Sequence, residues 1–130
     1  MKFTASSVEL SSMGGEYFQV ILTESENENS PYVLLQNSFE FSPGAAYFEC
    51  HNLDLSGQGC VKRCELRRTS LEIEEVDSDE PITVLFNKPD EKIANLGWIL
   101  RIILNQRVPF VNSSGIPEYP IDDQDVEFDI

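Results

Sequence analysis

Leu71-Glu72-Ile73-Glu74 alternates an apolar side chain with a carboxylate. On an extended chain this puts Leu71 and Ile73 on one face and the two glutamates on the other. Such alternation marks a strand in a sheet with one dry and one wet side, the usual state of antiparallel sheets. The two-residue period recurs on either side, over residues 47–52, 61–67 and 82–86, with 71–76 between them. Further out, 3–10, 17–23 and 32–36 are also strand-like, and 17–23 is rich in aromatic and β-branched residues. Breaks fall at Met13-Gly14-Gly15, in the acidic Asn/Ser-rich stretch 24–31 and at Ser42-Pro43-Gly44. Residues 1–87 therefore read as about six or seven short, mainly antiparallel strands.

The period changes after residue 88. Ile93, Leu96, Leu100, Ile103 and Leu104 recur at three- and four-residue spacing, the apolar stripe of a helix over 88–107. Pro89 suits its first turn, Asp90 and Glu91 its positive end, and Arg101 and Arg107 its negative end. Trp98, Ile99 and Ile102 widen the stripe beyond what an exposed helix tolerates. The helix is therefore expected to pack across the sheet, with Trp98 in the contact, which makes the fold class α+β in one domain, 1–130. Residues 108–130 form an acidic, extended tail with no Lys or Arg. Its end, Asp125-Val126-Glu127-Phe128-Asp129-Ile130, alternates acid and apolar, and either adds an edge strand or lies as an extended arm.

The charge is the strongest compositional signal. Acidic residues number 23 against 9 basic ones, a formal net charge of −14. Such a field keeps a protein soluble, repels nucleic acid and anionic lipid, and speeds encounter with a basic partner. Four of the nine cations, Lys62, Arg63, Arg67 and Arg68, crowd into one strand and its turn, where salt bridges to Glu65, Glu72 or Glu74 are expected. The longest apolar run, 93–104, contains Asn95 and Arg101 and is shorter than the ~20 residues that span a bilayer. Met1-Lys2-Phe3-Thr4-Ala5 has no apolar core of a secretory signal, and three cysteines, an odd number, suit free thiols in a reducing compartment. A cytoplasmic location is expected.

No catalytic residue, metal or cofactor is expected. His51 is the single histidine, and on an alternating run it shares a face with Glu49 while Cys50 points away. That arrangement excludes an adjacent Cys–His nucleophile pair and suits a sheet-surface histidine. Cys50, Cys60, Cys64 and His51 have the residue types of a zinc site, yet Cys60 and Cys64 on one strand stand ~13 Å apart, too far for one ion. Ser56-Gly57-Gln58-Gly59 lacks the lysine-serine pair of a phosphate loop and reads as a hairpin turn. The carboxylate pairs have no histidine or aromatic platform that would suggest acid–base work, and Asp122-Asp123-Gln124-Asp125 lacks the glycine and terminal glutamate of a calcium loop.

One ordered set of residues resembles a known family. Tyr32-Val33-Leu34-Leu35-Gln36, Tyr47-Phe48-Glu49 with Asn52, glycines 57 and 59, and Glu65-Leu66-Arg67-Arg68-Thr69-Ser70-Leu71-Glu72-Ile73 are similar to the "immunity protein 10" family of small bacterial cytoplasmic proteins encoded beside polymorphic toxins. The family carries an aromatic and more glycine where this chain has Gln58 and Cys60, and the acidic tail lies outside the shared pattern. The resemblance implies toxin neutralisation by tight binding, without catalytic residues. Charge points the same way, because an inhibitor of a basic toxin needs dense carboxylates and no chemistry of its own. The expected partner is a cognate, basic toxin domain, not nucleic acid or membrane; an acidic scaffold or assembly subunit is the alternative. The two densest acidic stretches supply the candidate contacts: Glu74, Glu75, Asp77, Asp79 and Glu80, and Asp122, Asp123, Asp125 and Glu127.

Overall fold

Burial alternates along most of the extended runs. In the strand Tyr17–Thr23, Phe18, Val20 and Leu22 are buried while the residues between them are half-buried. The computed structural model describes residues 1–39, 44–87, 92–121 and 124–129, with residues 53 and 124–129 described by backbone alone. Among the described residues the strands are β1 (Lys2–Ala5), β2 (Ser7–Met13), β3 (Tyr17–Thr23), β4 (Tyr32–Ser38), β5 (Tyr47–Cys50), β6 (Gly57–Gln58), β7 (Val61–Leu66), β8 (Ser70–Glu75), β9 (Ile82–Phe86), β10 (Phe110–Asn112) and β11 (Gln124–Asp129), with one α-helix, α1 (Lys92–Leu104), before β10 and a 3-10 turn at Leu53–Leu55. The fold is α+β, as expected. The expected Pro89, Asp90 and Glu91 of the first helical turn lie outside the described residues.

The strands form two sheets rather than a single one of six or seven strands. One has five strands in the order β1-β9-β8-β7-β10, the other six in the order β11-β2-β3-β4-β5-β6. The division begins at Ser6. Phe3 and Ala5 are buried, then Val8 and Leu10, so the inward set shifts phase across an exposed serine. A strand cannot keep both sets on one face. Residues 3–10 are therefore two strands, β1 in the smaller sheet and β2 in the larger.

The larger sheet is antiparallel throughout. In the smaller one β1 runs parallel to β9 and β10 parallel to β7. Parallel neighbours cannot be joined by a tight hairpin, and α1, which follows β9, carries the chain across to β10 beside β7. The helix touches β3, β4 and β10. It buries Ile93, Leu96, Ile99, Leu100, Ile103 and Leu104 in the same cluster as Leu71 and Ile73 of β8 and Leu22, Leu35 and Phe48 of the larger sheet. Trp98 meets Phe18 edge-on, centroids 6.1 Å apart, as a helix–sheet contact. Buried Asn37 of β4 donates Nδ2–H to Ile103 O at 2.8 Å, satisfying a carbonyl of the last turn. Asn105 and Gln106 then turn left-handed, φ 51° and 61°, and end the helix.

The first part of the tail is a strap on α1. Tyr119 N–H bonds Ala94 O at 3.1 Å, and Asn95 Nδ2 bonds Tyr119 O at 2.9 Å. Arg101 grips Glu118 with two hydrogen bonds, 2.5 and 2.8 Å, and lies 4.9 Å from the Phe110 ring centre. A side chain at Gly97 would meet Glu118, Asn112 and Leu66 within 3.3 Å, which shows how closely this strap and β7 approach the helix. The end of the tail adds β11 to the edge of the larger sheet, the first of the two expected arrangements. Among the described residues no helix is long and apolar enough to cross a membrane.

Candidate interaction face

The carboxylates singled out from sequence are not gathered on one surface. Glu74 lies half-buried on β8, in register with Arg63. Asp77, Asp79 and Glu80 are exposed in the β8–β9 turn, where Glu80 takes the Met1 ammonium at 3.1 Å. Lys62 shares with Glu74, Ser78 and Asp79 a concavity of about 190 Å³. Cations from neighbouring strands therefore stand beside a segment that has none of its own. Asp125 and Glu127 belong to the other sheet, in register with Ser11 and Glu9. Asp122 and Asp123 lie outside the described residues.

Glu75 leaves the contact set. It is 3% exposed, and its Oε1 has no hydrogen-bond partner. Burial raises its pKa, the nearby Asp77 charge adds to this, and the amino terminus opposes it. Its position on the inward row after Leu71 and Ile73 explains the discrepancy: alternation puts residue 75 on the dry face whatever its charge.

The outer face of the five-stranded sheet is neutralised internally, as the basic crowding in β7 suggested. Glu65 and Glu72 stand directly opposite each other, a repulsive arrangement that Arg67 relieves by bridging both at 3.0 and 3.1 Å. Arg63 adds a bond to Glu65 at 3.1 Å. Ser113, Arg63 and Arg67 hold the Glu65 carboxyl below its ordinary range.

The outer face of the six-stranded sheet is built differently. Residues 3–61 contain no Lys or Arg, nor do residues 124–129, so the whole sheet lacks a basic side chain other than His51 at its margin. Its outward row carries Tyr17, Gln19 and Ile21 of β3, Tyr32, Leu34 and Gln36 of β4, and Tyr47 and Glu49 of β5, all half-buried. In the registered row across the strands, Glu9, Ile21, Leu34 and Glu49 run from carboxylate through apolar pair to carboxylate, with position 127 next to Glu9.

The tyrosines on this face are fixed. Tyr32 and Tyr47 both donate to Glu49, at 2.6 and 2.8 Å, and Tyr17 donates to Gln19 and to Gln36. The bonds from Tyr32 and then Tyr47 pull the Glu49 carboxyl below its ordinary range. Burial, with Glu49 beside it, pushes the Tyr32 hydroxyl up to about 12. His51 Nδ1 accepts the Tyr32 backbone N–H at 3.3 Å, which gives the lone histidine a positioning task on the sheet surface. Such rings are rigid amphipathic contact area at low entropic cost.

One end of the face is concave. A groove of about 650 Å³ is lined by Ile21, Tyr32 and Leu34 together with Glu9, Glu26 and Glu28. The 24–30 loop along it is internally bonded: Ser6 Oγ donates to Glu24 O at 2.7 Å, Ser30 N–H to Asn27 O at 2.9 Å and Asn29 N–H to Asn27 Oδ1 at 3.1 Å, and the Ser25 and Ser30 hydroxyls meet.

The thiols are spread along the interior and its margin. Cys64 is fully buried opposite Ile73, and burial pushes its thiol up to about 12. Cys50 is buried on β5; Cys60 is partly exposed just before β7, and burial raises both. A register shift lies between Val61 and Arg63, but among the described residues no three His, Cys, Asp or Glu side chains converge as a metal site. Gly57 belongs to β6, paired with Phe48, and Gly59 makes the turn with φ 70°. Comparison with protein-family models, with curated proteins and with solved structures finds no match.

Proposed function

We propose that this protein is an immunity-type inhibitor that acts in the cytoplasm by binding a basic protein, a cognate bacterial toxin domain, with the open face of its six-stranded sheet. The observation that carries this reading is one face that holds three anchored tyrosines, two on Glu49 and one on Gln36, together with carboxylates that no Lys or Arg of the same sheet neutralises. Aromatic anchors near the centre of an interface supply most binding energy, and complementary charge supplies encounter rate and partner choice. The resemblance of residues 32–74 to the immunity family supports the inhibitor reading without choosing a face, since that stretch includes β4 and β5 of this sheet and β7 and β8 of the other. The neutralising action needs no reaction by this chain: occupying a cationic cleft is enough.

The test is co-expression with the toxin domain encoded by the adjacent gene. Wild-type protein should rescue growth and co-purify with the toxin. Tyr32→Ala should weaken both, while neutral substitutions at Asp77, Asp79 and Glu80 should leave them at wild-type strength. Loss through the β8–β9 turn with an intact response to Tyr32→Ala would move the interface to the other sheet. Stable association with a different assembly, without any toxin, would favour the acidic-scaffold alternative.

A further inference from the structure

We propose that the groove between the β2–β4 end of the six-stranded sheet and the 24–30 loop is an anchor site for an arginine-bearing loop of the partner. The proposal rests on the binding reading above and adds the chemistry of the contact. The groove has two kinds of wall. Ile21 and Leu34 are neighbours in register and form an apolar strip, with Tyr32 beside it. Glu9, Glu26 and Glu28 stand around that strip, and among the described residues no Lys or Arg lines the groove.

An arginine matches both walls at once. Its methylene stem covers apolar surface while the guanidinium stays at the polar margin. The planar head stacks on an aromatic ring and makes paired, charge-assisted bonds to carboxylates, which a lysine ammonium does not reproduce. Two structural details favour a built site over a mobile acidic patch. Tyr32 is held on both sides, its hydroxyl by Glu49 and its backbone N–H by His51. The loop carrying Glu26 and Glu28 is shaped before any ligand arrives, through Ser6, Asn27 and the Ser25–Ser30 contact. Preorganisation of this kind lowers the ordering cost of binding. The volume of about 650 Å³ accommodates a side chain with part of its loop.

The probe is the acetylated peptide Gly-Arg-Gly-Arg-Gly, titrated into nitrogen-labelled full-length protein at low ionic strength, with Gly-Lys-Gly-Lys-Gly and spermine as comparisons. The expected result is saturable binding with amide shifts concentrated at Ile21, Thr23, Tyr32, Leu34 and residues 24–30. The lysine peptide should bind several-fold more weakly. The exposed-rim variant E9Q/E26Q/E28Q should lose about tenfold in affinity or more, whereas E74Q/D79N/E80Q, with the same change in net charge, should stay within about twofold. Equal losses from the two variants, shifts scattered over the surface, spermine binding that equals the peptide's, or a dimer that buries the groove would each overturn the proposal. The two readings fail separately. If E9Q/E26Q/E28Q protein still neutralises the toxin domain at wild-type strength, the anchor is overturned and the inhibitor reading stands. If no toxin domain binds while the peptide saturates this groove, the anchor chemistry is supported and the inhibitor reading falls.

Discussion

The two sheets contribute matching apolar rows to one core and dress their outer faces in opposite ways. On the five-stranded sheet, Arg63 and Arg67 are spent on Glu65 and Glu72. On the six-stranded sheet, Glu49 is held by tyrosine hydroxyls and Glu9 has no cation on its sheet. Exposed ion pairs add little to stability, about 0–1 kcal/mol each, so the second face loses little by lacking them. What it gains is carboxylates whose attraction is still available to another molecule. Charge balance within a sheet thus separates a surface that serves its own fold from one that can serve a partner.

The comparison presupposes one shared core, and the largest effects test that. Leu100→Ala should destabilise by about 2–5 kcal/mol and Phe48→Ala by about 3–5 kcal/mol, in a single urea transition for each variant. Both side chains are fully buried, one on the helix and one in the larger sheet. Wild-type stability in Leu100→Ala, or two separate transitions, would break the premise that the sheets share support. Next comes binding. Tyr32→Ala should cost about 2 kcal/mol of toxin affinity by calorimetry, while Arg67→Ala on the other face leaves it within about twofold. Similar losses from both would erase the distinction between faces.

A third measurement sharpens the contrast through pH. Glu75 in the smaller sheet has its folded pKa raised above its unfolded value, so between the two the native state holds a proton that the unfolded chain has released. Stability from this group is therefore greatest in acid and is lost as pH rises towards the folded value. Glu75→Gln should be more stable than wild type at pH 7, because it removes a buried charge, with the gain shrinking in acid. Glu49 in the larger sheet has the opposite sign: its depressed pKa contributes stability above the ordinary carboxylate range, lost as pH falls through the folded value. Glu49→Gln should therefore flatten the acid limb of the stability profile. Parallel pH profiles for the two variants would refute this assignment. The smallest expected effect is spectroscopic. In an ultraviolet titration Tyr32 should stay protonated to about pH 12, and Glu49→Gln should bring its ionisation part of the way down.

Much of this architecture was legible from residue order. Strands β3, β4, β7, β8 and β9 and the helix follow directly from periodicity, because side-chain period and burial are the same fact seen twice. The break at Ser6 was also written in the chain, as the three-residue step from Ala5 to Val8, but no Gly, Pro, Asn or Asp punctuates it. β10 spans three residues, and its pairing with β7 depends on where the helix delivers it, which no local pattern reports. The site was less legible. Counting acids along the chain favoured residues 74–80, yet Lys62, Arg63 and Met1 reach that segment from other strands. The more useful signal was the absence of Lys and Arg from residues 3–61, together with tyrosines and aliphatics on the wet parity of β3, β4 and β5.

The parallel pairing of β1 with β9 sets an order of events during synthesis. Strands β2 to β5 are each followed by their own antiparallel partner, so their pairing needs only the next stretch of chain. β1 leaves the ribosome well before β9, yet Lys2 pairs with Thr83 and Ala5 with Phe86. At ~5–20 residues per second, that partner arrives roughly 4–16 s later. Through this interval β1 has no strand of its own sheet to pair with, and contacts of such long sequence separation are the slow ones. The tyrosine face can therefore be laid out while its own supporting layer is still unmade, and the nascent chain is most exposed to aggregation at its first strand.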